Sequence, residues 1–106
     1  VENLEVAMGL IAGAGDSRSY CIEAIAQARG GEFEAAKVSL EKATQGMVDT
    51  HDIQTQLIRD EMTGVGEPVS LLMVHAQDHL NLALVMRDIA EEFVAVYERL
   101  KSLEEQ

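Results

Sequence analysis

The chain has no tryptophan and only two tyrosines and two phenylalanines, so any core must be aliphatic, assembled from Leu, Ile, Val, Met and many Ala. Its one cysteine, Cys21, excludes an internal disulfide, and its apolar neighbours mark it as a buried thiol of a cytosolic protein. Basic residues are scarce: 8 Lys and Arg against 19 Asp and Glu leave a net charge of −11. Such a balance argues against nucleic acid and anionic membrane surfaces as partners and suits docking onto basic protein surfaces. No apolar run approaches the ~18 residues that read as a membrane span, so no membrane insertion is expected. No basic-then-apolar leader opens the chain, and a start at Val1 without Met reads as a trimmed one. The 106 residues make one domain, residues 1–106, with enough surface to bury a core but little to spare.

What is present is helical periodicity. Residues 3–29 read as a first helix with Leu4, Met8, Ile11, Ile22 and Ile25 on one face. Inside it, Gly13 and Gly15 are unusual, since a helical glycine costs roughly 1 kcal/mol relative to alanine. Either the helix kinks there, capped anew by Asp16 or Ser17, or the small residues admit a close neighbour; the second reading is preferred. Gly30-Gly31 stops the helix. A second helix runs from about Glu32 to Met62, with Phe33, Ala36, Leu40, Ala43, Met47, Leu57 and Ile58 inward and a polar interruption around His51 and Gln54. The loop 63–68 is rich in glycine and closes on the sole proline, Pro68. A third helix follows from about Ser70 to Leu103. Three long helices joined by short loops give an all-α, antiparallel three-helix bundle, each helix on the order of 40–50 Å long.

The third helix carries two apolar rows. One is Leu71, His75, Asp78, Leu82, Val85, Ile89, Phe93 and Val96; the other is Leu72, Ala76, His79, Ala83, Met86, Ala90, Phe93, Tyr97 and Leu100. A helix on the outside of a small bundle needs one such stripe, so the second face is expected to be covered by another copy of the chain. Within these rows His75 and Asp78 are i,i+3 neighbours and His75 and His79 are i,i+4 neighbours. Four readings compete for that turn. The histidines are core or interface residues; or His-x-x-Asp-His is a metal site, though one helix supplies too few ligands for a closed zinc centre; or the turn serves a haem or di-iron centre, for which Glu-x-x-His pairs are missing. In the fourth, a neutral imidazole takes up a phosphoryl group and gives it away again, with Gln77 and His79 as donors to the phosphoryl oxygens.

The segment Val69-Ser-Leu-Leu-Met-Val-His-Ala-Gln-Asp-His-Leu80 resembles the signature of the lactose/cellobiose/chitobiose family of enzyme IIA components of the bacterial phosphoenolpyruvate-dependent sugar phosphotransferase system. Met8-Gly9-Leu10-Ile11 with Gly15-Asp16-Ser17-Arg18-Ser19, the Gly31-Glu32-Phe33 turn and His51-Asp52-Ile53-Gln54-Thr55 agree with it, in the same order along the chain. The resemblance implies a cytoplasmic homotrimer of three-helix chains. His75 would accept a phosphoryl group from the phosphorylated histidine phosphocarrier protein and pass it to a cysteine of the cognate IIB component, and through it to IIC. His79 and Gln77 would support it. Asp78 would lie at the trimer axis and bind a divalent cation, one per trimer. A hard, oxygen-ligated ion such as Mg²⁺ suits three carboxylates that repel one another. His51 and Gln54 are candidates for the cleft or for ordinary surface. The signature sits nearer the cellobiose and chitobiose types than the lactose type. A non-catalytic oligomeric helical adaptor is the alternative.

Overall fold

Two glycines and one serine punctuate the chain into α1 (Glu2–Arg29), α2 (Phe33–Met62) and α3 (Leu71–Glu104). The computed structural model describes residues 2–106, apart from the side chains of Glu2 and Asn3. α1 ends because Gly31 adopts a φ of 81°. That turn lets the Glu32 N–H donate to the Gln27 carbonyl at 2.9 Å and the Gly31 N–H to the Ala28 carbonyl at 3.0 Å, satisfying acceptors the helix end would otherwise orphan. α2 ends the same way. Gly64 takes a φ of 78°, and the N–H groups of Val65 and Gly64 donate to the carbonyls of Asp60 and Glu61 at 3.0 and 3.2 Å. α3 begins at Ser70, whose side chain accepts from the Met73 N–H at 3.1 Å.

α1 runs unbroken through its two internal glycines, so the kinked alternative is set aside. Gly13 is instead a point of close approach: a Cβ there would lie 2.5 Å from Thr50 Oγ1 of α2. Nothing lies within 4 Å of a Cβ at Gly15. Ser17 donates to the Ala43 carbonyl at 2.8 Å, Gln54 to Gln77 at 2.6 Å and Arg87 to Thr44 at 2.6 Å, and these pairings place α2 antiparallel to both α1 and α3. The bundle measures 60 × 21 × 19 Å.

α1 is the middle element, packed along both partners, which touch each other far less. Its buried row is Ala7, Leu10, Ala14, Ser17, Cys21, Ala24 and Ala28, and of the bulkier row beside it Ile11 and Ile25 lean on the core. Leu4, Met8 and Ile22 are half exposed. The reason is geometric: a helix gripped from two sides needs small residues along both contacts so that backbones can approach, which leaves these three larger side chains toward the outside. On α2 the expectation holds for Ala36, Leu40, Ala43 and Met47, while Ile58 turns out to solvent. Thr50 is buried at the edge of the polar interruption and donates back to the Gly46 carbonyl at 3.2 Å. On α3 the row through Ala76, Ala83 and Ala90 is buried, as is Leu80. The other row stays open: Leu71, Leu82, Val85, Ile89 and Val96 are 46–85% exposed.

Candidate functional site

The first turns of α3 present His75 because Leu72, Ala76 and Leu80 anchor the adjoining side, centred about 100° around the helix from it. Ala76 and Leu80 are buried, Ala76 beside Leu10 and Leu80 beside Ala14 of α1. His75 and Asp78 are therefore exposed and His79 is half-buried at the seam. The two imidazoles meet edge to face, with centroids 4.5 Å apart and planes at 89°. Their Nε2 atoms are 3.1 Å apart, so one donates and the other accepts. A single added group at either nitrogen would find the second ring already aimed at it. Asp78 makes no ion pair among the described residues, and no Lys or Arg side chain stands on that turn.

Gln77 points elsewhere. At ~100° per residue it lies about 200° around the helix from His75. Its Oε1 accepts from Gln54 Nε2 at 2.6 Å, and its Nε2 lies 3.8 Å from Met73 Sδ. Within one chain the amide thus ties α3 to α2 and does not face the imidazoles. His51 is exposed on α2 and makes no side-chain hydrogen bond to the His75 turn among the described residues. The Gln54–Gln77 link itself was not read from the sequence. Two glutamines opposite each other at a break in the α2 stripe were its only signal. Among the described residues no group of three His, Cys, Asp or Glu in one chain is arranged to hold a metal ion. No helix among the described residues is long and apolar enough to cross a membrane.

Cys21 is fully buried between α1 and its neighbours. Burial pushes its thiol above the usual value of about 9, opposed by the positive charge of Arg87.

Residues 5–98 match the family model for the "PTS system, Lactose/Cellobiose specific IIA subunit". The chain is 40% identical over 99 residues to the cellobiose-specific EIIA component of Lactococcus lactis subsp. lactis, spanning 93% of this chain and 85% of that one. Its fold matches the crystal structure of the cellobiose-specific enzyme IIA from Bacillus anthracis with a TM-score of 0.89 at 34% identity, over 92% of this chain and 90% of that one. It also matches IIA(chitobiose) in the solution structure of its complex with HPr from Escherichia coli, with a TM-score of 0.78 at 36% identity, over 92% and 94% of the two chains. Fold and matches together define a component of the phosphotransferase system. The chain belongs to that system's lactose/cellobiose-specific IIA family.

Proposed function

We propose that the chain is a phosphocarrier in which a ring nitrogen of His75 carries the phosphoryl group. The observation that supports this most directly is the exposed imidazole pair, held with Nε2 atoms 3.1 Å apart on a rigid helix. The donor is HPr, the histidine phosphocarrier protein, which the E. coli relative binds in its solved complex. The His75 lone pair forms a new N–P bond as the donor's P–N bond breaks and the donor nitrogen keeps the electron pair. In the onward step a thiolate of the IIB component forms a P–S bond and His75 recovers its lone pair. Such transfers depend mainly on positioning and on donors to the phosphoryl oxygens; the His79 ring N–H supplies one. The system is of the cellobiose or chitobiose type, and the protein works in the cytoplasm.

The assembly is a homotrimer, three copies of the open α3 row packing together. Leaving that row in water forgoes about 25 cal/mol for each Å² of apolar surface, and Phe93, 46% exposed, adds to it. Asp78 sits within the same row, so assembly brings one carboxylate per chain together, and hard oxygen donors of this kind fit a divalent cation such as Mg²⁺, one per trimer. When bound, the ion offsets the mutual repulsion of the carboxylates.

The test is intact-mass analysis after incubation with phosphoenolpyruvate, enzyme I and HPr, with His75→Gln alongside. One acid-labile phosphoryl addition, absent from the variant, is expected. No addition to the wild type with active partners would leave an oligomeric adaptor as the better reading.

A further inference from the structure

We infer that Gln54 is a positioning residue for phosphoryl exchange. By holding the carbonyl end of the Gln77 amide it turns an N–H of that amide toward the phosphoryl group on His75 of the neighbouring copy, a role that rests on His75 being the carrier within a homotrimer.

A glutamine amide has a donor end and an acceptor end, and the end a site meets depends on what holds the other. Gln54 Nε2 donates to Gln77 Oε1 at 2.6 Å across the α2–α3 seam. Met73 Sδ, which can only accept, lies 3.8 Å from Gln77 Nε2 and fits the same orientation. One Nε2 hydrogen is thus directed at a weak acceptor, and the other has no acceptor among the described residues. Both glutamines are half-buried, and a neutral pair at such a seam adds little net stability. Its consequence is orientation: with the bond reversed, the Gln77 carbonyl would face outward and repel an anion.

The neighbouring copy brings that anion. His79 shares its row with Leu72 and Ala76, which pack against Ala7 and Leu10 of α1, so the imidazoles mark the edge of the open α3 face that lies next to α1. Gln77, about 200° around the helix from His75, marks the edge next to α2. In a ring of identical copies each contact is heterologous, one edge of a copy meeting the opposite edge of the next. Assembly along the open row therefore sets the His75 edge of one chain beside the Gln77 edge of its neighbour. Copies around an axis along α3 stand at equal height, and residues 75 and 77 differ by only about 3 Å of rise.

The test reverses the bond without removing it. Gln54→Glu can only accept, so it draws the Gln77 N–H inward and turns the carbonyl out, whereas Gln54→Lys can only donate and keeps the amide as it is. In rapid-quench measurements with phosphorylated HPr, Gln54→Glu should lower the maximal rate of phosphoryl acceptance about tenfold or more, with the half-saturating HPr concentration little changed. Gln54→Lys should stay within about threefold of the wild type, as should Gln56→Glu, which adds the same negative charge at an exposed site two residues on. The Gln77 side-chain N–H signals should shift on phosphorylation of His75 in the wild type and in Gln54→Lys, but not in Gln54→Glu. Wild-type rates in Gln54→Glu, equal losses in Gln54→Glu and Gln54→Lys, or a wild-type Gln77 signal blind to phosphorylation would each overturn the role of Gln54 while leaving His75 as the carrier. Failure of the wild type to accept a phosphoryl group, or to sediment as a trimer, would remove the carrier or trimer reading and the role of Gln54 with it.

Discussion

A phosphoryl group on His75 would bring negative charge to a turn without Lys or Arg, so the donor at hand matters. The proposed donor is His79, with its Nε2 3.1 Å from that of His75, and on that proposal His79→Ala should slow phosphoryl acceptance about tenfold, the worth of one charge-assisted hydrogen bond. His79→Gln, which restores an N–H, should recover part of the rate; rapid-quench measurements with phosphorylated HPr check both. Cys21 makes a prediction of the opposite kind, on stability alone. Its folded-state pKa is raised by burial, so the unfolded chain loses the thiol proton first as pH rises. The thiol's stabilising contribution is complete below its ordinary value and declines above it. Thermal melts from neutral to strongly alkaline pH should show a steeper fall above about pH 9 for the wild type than for Cys21→Ala, whatever the variant's lower starting stability.

Each helix owes its ends to local chemistry that can be tested separately. Gly31 and Gly64 both hold positive φ with nothing crowding a Cβ, so alanine at either meets only the backbone penalty. Each substitution should lower unfolding free energy in urea by about 1 kcal/mol. Gly13 is different in kind. Its φ is ordinary helix, yet a Cβ would meet Thr50 Oγ1 at 2.5 Å, and Gly13→Val should therefore cost more, about 2–3 kcal/mol, by forcing α1 and α2 apart. Thr50→Ala in the same chain should return part of that loss, which a double-mutant cycle would measure. These ends and contacts fix where α3 starts and how it lies against α1, and so where His75 points.

At the scale of the whole molecule the open α3 row dominates. Leu82→Glu with Ile89→Glu should leave helix content intact by circular dichroism while reducing the sedimenting species to single chains. Asp78→Leu should change assembly in another direction: the carboxylate repulsion disappears, so the oligomer should no longer respond to chelators or added Mg²⁺ in sedimentation, while His75 stays competent to be phosphorylated. Unchanged metal response in that variant would remove Asp78 from the axis.

Much of this was legible in the residues. The three helices, their glycine stops, the buried thiol and the neighbourhood of His75, Asp78 and His79 all follow from spacing within one helix, where i,i+3 and i,i+4 relations hold in any context. The two apolar rows of α3 were also visible there. Which row is buried was not, because periodicity defines faces but does not say which face another helix takes. The bundle buried the row of alanines and left the row containing His75 outside. The same holds for α1: its bulkier row defined a face, and only the packing set Leu4, Met8 and Ile22 half exposed while Ile11 and Ile25 lean on the core. Gln77 shows the limit most plainly: its place in the signature suggested a supporting role at His75, and nothing in its spacing told that within one chain its amide would pair with Gln54. Contacts between helices depend on backbone separation and rotation, quantities set by the sum of all side-chain volumes in the core and carried by no single stretch of sequence.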